Sequence, residues 1–93
     1  MSIKFEWDPN KATQNFQKHK VSFEEAATVF RDTLSITVPD PNHSVKEDRC
    51  ITIGLSSRFR LLMIAHTERC NHIRIISARE LTSKERRQYE EES

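Results

Sequence analysis

Leu61-Leu62-Met63-Ile64-Ala65 is the longest apolar run in this chain, and it is apolar on both parities. A strand with that pattern sits in the middle of a sheet and is covered on both faces, so the rest of the chain must supply strands on either side and at least one covering layer. Two flanking segments alternate as its neighbours should: Ile51, Ile53 and Leu55 within Arg49 to Leu55, and Ile73 to Arg79. Leu34, Ile36 and Val38 alternate with Ser35 and Thr37 until Pro39-Asp40-Pro41-Asn42 breaks the pattern, and a polar loop, long for its neighbours, runs on to Asp48. Ile3, Phe5 and Trp7 give a first, short strand. Gly54, the only glycine, predicts a bulge or a close backbone approach.

The covering layer is legible from helix start signals. Asp8 before Pro9 reads as an N-cap with proline at the first helical position, opening a short polar helix to His19 with Ala12 and Phe16 four apart. Ser22-Phe23-Glu24-Glu25 is a capping box, with Val21 as a staple against Ala26, and Phe23, Ala26, Ala27 and Phe30 form one apolar stripe that ends near Arg31 or Asp32. Thr82-Ser83-Lys84-Glu85 is a second capping box, opening a helix to about Glu91 whose only large apolar residue is Tyr89. The predicted order is strand, two helices, four mostly antiparallel strands and one helix, an α+β architecture forming a single domain over residues 1–93.

Several function classes are excluded early. No stretch approaches the ~18 apolar residues of a membrane span, and Met1 to Lys11 lacks the apolar run and cleavage site of a signal peptide, so a cytoplasmic protein without a membrane partner is expected. Cys50 and Cys70 are too few for a disulfide scaffold. His66, Cys70 and His72 lie near one turn with Cys50 on a neighbouring strand, but the spacing fits no zinc pattern, so neither a metal nor another cofactor is expected.

Charge is balanced overall, at a formal +1, but not along the chain. Between Ser56 and Arg79 stand Arg58, Arg60, Arg69, Arg74 and Arg79 against Glu68 alone. Guanidinium groups match phosphate oxygens two at a time, so an all-arginine cluster points to phosphate recognition, with a solvated strand edge as the plain alternative. An even-length turn near Cys70-Asn71 sets His66 opposite Ile75, putting His66 and Glu68 on one face with Ser77, Arg79 and Arg60, and Arg74 on the other; an odd turn sets His66 opposite Arg74. Metal-free RNA cleavage needs a 2′-hydroxyl deprotonated, a 5′-oxygen protonated and phosphoryl charge neutralised. His66 and Glu68 are the acid/base candidates, Arg60 and Arg79 the phosphate-neutralising ones, and Arg58, Arg74, Ser77 and Tyr89 candidates for substrate contact. For Tyr89 the packing anchor of its helix is the stronger reading, and Lys18, His19 and Lys20 read as cations complementing a helix dipole, with catalysis by His19 the lesser reading.

Phe5-Glu6-Trp7-Asp8-Pro9 with Lys11, Lys18-His19 followed by Val21-Ser22-Phe23-Glu24-Glu25-Ala26, Asp40-Pro41-Asn42-His43-Ser44, His66-Thr67-Glu68-Arg69 and Arg74-Ile75-Ile76-Ser77-Ala78-Arg79 together resemble the BrnT family of toxins, over about Ile3 to Glu91. The resemblance implies a RelE-like fold and a metal-independent ribonuclease toxin of a type II toxin–antitoxin pair that halts translation. It further implies a BrnA-like ribbon-helix-helix antitoxin that binds operator DNA and holds two toxins in a heterotetramer of two toxins and two antitoxins. It also points to Arg60, Arg79 and Arg58 for phosphate. A noncatalytic protein-binding or RNA-binding module is the alternative. One departure is visible: the family usually has glycine where this chain has Lys20, and a left-handed helix end there costs lysine roughly 1 kcal/mol.

Overall fold

The computed structural model describes residues 3–40 and 49–92. Most of the polar loop predicted between Pro39 and Asp48 lies outside the described residues, as does the Pro41-Asn42-His43-Ser44 part of the motif that contains it. The elements run β1 (Lys4–Glu6), α1 (Pro9–His19), α2 (Phe23–Thr28) with a 3-10 turn at Val29–Arg31, β2 (Ile36–Pro39), β3 (Arg49–Leu55), β4 (Leu61–Arg69), β5 (His72–Glu80) and α3 (Ser83–Glu92). The sheet order is β1-β5-β4-β3-β2, antiparallel except for the parallel β1–β5 pair, so β4 is the central strand as its double-parity run predicts.

The predicted caps form. Asp8 accepts from the Asn10 amide at 2.8 Å, and Ser22 Oγ accepts from the Glu25 amide at 3.0 Å. Lys20 closes α1 in the left-handed conformation, φ 59°, its N–H donating to Phe16 O. Gly54 marks a close approach: a Cβ there would stand 2.8 Å from Ser35 Cβ and 3.0 Å from Val29 Cγ1, which only a hydrogen permits.

One face of the sheet carries the core. Leu62 and Ile64 of β4 with Ile73, Ile75 and Ala78 of β5 pack against Val21, Phe23, Ala26 and Val29, and Phe5, Trp7, Ala12, Ala27 and Phe30 seal the rim. Phe16, four residues after Ala12 on α1, is half exposed. The opposite face is only partly covered, since Leu61, Met63 and Ala65 are intermediate in burial where full cover was expected. α3 is attached on this side by Arg79 to Glu85 and by Tyr89 Oη donating to Leu34 O at 3.1 Å.

Candidate functional site

The β4–β5 turn sets His66 opposite Ile75, as an even turn requires, but the register then shifts between Ala65 and His66. Beyond the shift Ala65 faces Ser77 and Met63 faces Arg79, so one extra residue in β5, at Ile76, turns the rest of the strand over. Arg74, paired with Thr67, and Arg79, paired with Met63, thereby share the open face, whereas the expected face common to His66 and Arg79 is not formed.

His66 instead lies fully buried on the core side. Its Nε2 stands 2.7 Å from Thr52 Oγ1, and Phe30 meets its ring edge-on at 4.9 Å between centroids. Burial lowers its pKa to about 4, so the imidazole is neutral in the folded chain at neutral pH. Glu68 is exposed opposite Ile73 and lines neither of the two grooves described below.

Arg60 also belongs to the core side. Its guanidinium grips the buried Glu25 carboxylate bidentately, donates to Glu80 Oε2 at 3.2 Å and reaches Lys20 O at 3.1 Å. The hydrogen bond from Arg60 holds the Glu25 carboxyl below its usual pKa, and the guanidinium is raised in turn. Arg60 is thus held on the core side and lines neither groove of the open face, a correction to its expected place beside Arg79. Arg58 and Phe59 are at the exposed tip of the β3–β4 hairpin, and Tyr89 serves as the anchor of α3, its hydroxyl pKa raised by burial and by Asp32.

Two grooves cross the open face. The first, about 400 Å³, is lined by Lys18 and His19 at the end of α1, by Arg49, Ile51, Met63 and Ala65, and by Ser77 and Arg79, with Asp40 beside Arg49. The second, about 600 Å³, is lined by Lys11, Arg49, Thr67, Arg69, His72, Arg74 and Glu6. Arg49 lines both. Arg79 donates Nη1 to Glu85 Oε1 at 2.8 Å and Nη2 to Glu85 Oε2 at 3.0 Å; that pair lowers the Glu85 carboxyl to about 2. Arg74 pairs with exposed Glu6 at 3.0 Å. Lys18, His19, Arg69 and His72 form no ion pair among the described residues, which leaves the face cationic on balance. Among the described residues no three His, Cys, Asp or Glu side chains converge as a metal site; His66 is internal while Cys70 and His72 are exposed.

Sequence reasoning gave His19 to the helix dipole, yet the structure brings it beside Ser77 and Arg79. Lys18-His19 preceding a left-handed cap was the available signal, because a helix that ends abruptly at a sheet edge directs its last turn toward that sheet.

Fold and site define a small α+β protein with an open, cationic sheet face. The family model for the ribonuclease toxin BrnT of type II toxin–antitoxin systems matches residues 7–85. The 1.1 Å crystal structure of the Brucella abortus ribonuclease toxin BrnT superimposes with a TM-score of 0.69 at 20% identity, covering 88% of this chain and 100% of that one. No curated protein sequence matches. The chain belongs to the BrnT family of ribonuclease toxins, a membership that implies an antitoxin partner.

Proposed function

We propose that this chain is a metal-independent endoribonuclease that cuts RNA on its open sheet face and so inhibits translation in the cytoplasm. The observation that carries this reading is the convergence of Lys18, His19, Arg49 and Arg79 around Ser77 in one groove, reached from α1, β3 and β5. Single-stranded RNA entering it meets guanidinium groups suited to non-bridging phosphate oxygens and an imidazole suited to proton transfer. His19 takes the proton of the 2′-hydroxyl as that oxygen attacks phosphorus. The resulting imidazolium returns the proton to the leaving 5′-oxygen, and Arg49 and Arg79 offset the charge on the pentacoordinate phosphorus. The products are a 2′,3′-cyclic phosphate and a 5′-hydroxyl, and water is not consumed. The second groove continues the cationic track through Arg69 and Arg74 for the neighbouring phosphates.

Family membership supports the rest of the proposal: neutralisation by a BrnA-like ribbon-helix-helix antitoxin, two toxins and two antitoxins per complex, with operator DNA bound through the antitoxin alone. The test is RNA cleavage by purified protein in EDTA with analysis of the new ends. Cyclic phosphate termini, together with loss of cleavage and growth arrest in His19→Ala, are expected. Growth arrest by a protein that leaves RNA uncut would sink the nuclease reading and favour a noncatalytic binding module.

A further inference from the structure

Among the described residues three that are not glycine have positive φ: Lys20, Cys70 and Phe59. Lys20 closes a helix and Cys70 opens the two-residue β4–β5 turn, so both conformations follow from the chain's path. Phe59, at φ 63°, is different. It occupies the last position of the tight β3–β4 connection, where Phe59 N donates to Ser56 O and Ser56 N to Arg60 O, a site that glycine or asparagine fills without strain. A bulky side chain there is a genuine outlier. Nothing in the fold offsets that strain, because the ring is 83% exposed, the most exposed large hydrophobic among the described residues, and makes no ring contact among them.

The tip is also rigid. Ser56 Oγ donates to Glu25 Oε2 at 2.7 Å and accepts from the amides of Arg58 and Arg60, while Ser57 N donates to Thr28 Oγ1 at 2.9 Å. A strained aromatic held out on a braced turn, without structural return, is the pattern expected of a recognition residue. We infer that Phe59 is a base-stacking platform for single-stranded RNA, an affinity contact outside the catalytic groove; the inference rests on the ribonuclease reading above.

The surroundings favour a nucleobase over a protein partner. A protein hot spot lies in a well-packed pocket whose surrounding contacts exclude water, whereas Phe59 stands exposed between Arg58, which forms no ion pair among the described residues, and Arg60. One aromatic plane beside an exposed guanidinium is what a base and its phosphate need. Along β4 the tip is four residues from Met63, the partner of Arg79, or about 13 Å, so one strand of RNA spans both, with a few nucleotides between stacked base and cleaved linkage.

The experiment measures binding of a short fluorescent, uncleavable 2′-O-methyl oligoribonucleotide over a salt series, with the melting temperature of each variant. Phe59→Asn relieves the backbone, so its Tm rises by a few degrees while affinity falls about tenfold with the salt slope unchanged; Phe59→Trp binds like the original. Equal affinity of Phe59→Asn and the unaltered protein overturns the platform alone. Unchanged RNA binding with lost neutralisation by the antitoxin also overturns it and transfers Phe59 to a protein interface. If the unaltered protein binds no oligonucleotide, the ribonuclease reading itself fails.

Discussion

The side-chain amide of Asn15 engages both backbone groups of Ala78: Nδ2 donates to Ala78 O at 2.8 Å, and Ala78 N donates to Oδ1 at 3.1 Å. β1 pairs with β5 only as far as Arg74, so beyond the bulge the edge of β5 has no strand neighbour there, and Asn15 stands in for one. Its third bond, to Val21 O at 3.0 Å, ties the same amide to the chain entering α2. The helix that brings Lys18 and His19 to the groove is thus fixed to the strand that brings Ser77 and Arg79. Asn15→Ala leaves buried backbone groups unmatched and is expected to cost roughly 3 kcal/mol, seen as a lower urea midpoint with an unchanged m-value. Asn15→Asp, which keeps an acceptor for Ala78 N but sets carboxylate against two carbonyls, should be no better. An Asn15→Asp protein as stable as the original would refute this account.

Arg79 and Arg60 should separate cleanly under mutation. Arg79→Ala removes a groove cation whose partner, Glu85, keeps its capping hydrogen bonds with Thr82, so the protein should fold while cleavage falls about a hundredfold or more. Lysine should not restore activity, because it cannot hold Glu85 bidentately and meet phosphate as well. Circular dichroism beside a cleavage assay checks both, and full activity in Arg79→Ala would remove it from the mechanism.

Arg60→Ala strands the buried Glu25 carboxylate, and breaking a buried pair from one side costs about 3–5 kcal/mol. Loss of folding, not of chemistry, is expected. The double variant Glu25→Leu with Arg60→Met should recover much of the stability and, if Arg60 has no part in catalysis, the cleavage too. A stable double variant without activity would return Arg60 to the site.

These contrasts show where the sequence was legible. Caps, the order of elements along the chain and the central position of β4 follow from local chemistry and periodicity, and the Thr82 capping box is realised reciprocally, Thr82 N to Glu85 and Glu85 N to Thr82. The site was harder because faces depend on register, and β5 has no glycine to announce the bulge at Ile76 that carries Ser77 and Arg79 to the open side. His66 had a readable signal: it shares the parity of Leu62 and Ile64, both core residues. Glu25 opens its helix as expected, but its carboxylate goes to Arg60 and Ser56, since a bidentate guanidinium pair outweighs a return bond to one amide.

The buried His66 predicts a pH dependence. Its folded pKa of about 4 lies below the ordinary 6.5, so between those values the unfolded chain binds the extra proton. Stability contributed by the neutral ring is complete above pH 6.5 and is lost as pH falls through 4, by on the order of 2 kcal/mol between pH 7 and pH 5. Urea titrations at the two pH values should show that loss in the original protein and a smaller one in His66→Phe. An equal slope in both would mean another group controls acid sensitivity.

Lys20 supplies the last prediction. Its backbone sits at φ 59° because α1 must stop there for Val21 to enter the core, and Lys20 O is held by Arg60 Nη2 at 3.1 Å. Lysine bears the steric penalty of the left-handed region that glycine avoids. Glycine keeps the same carbonyl and N–H, so Lys20→Gly should leave the cap bonds intact and gain about 1 kcal/mol, or about 4–8 °C in Tm. Glycine's larger unfolded-state entropy opposes this, so Lys20→Asn, which tolerates the same φ with less freedom to lose, is the sharper variant. A drop in Tm for both would mean the Lys20 side chain itself holds the turn, for which the 6.0 Å approach of its Nζ to the Phe16 ring is the contact to test next, by Phe16→Leu.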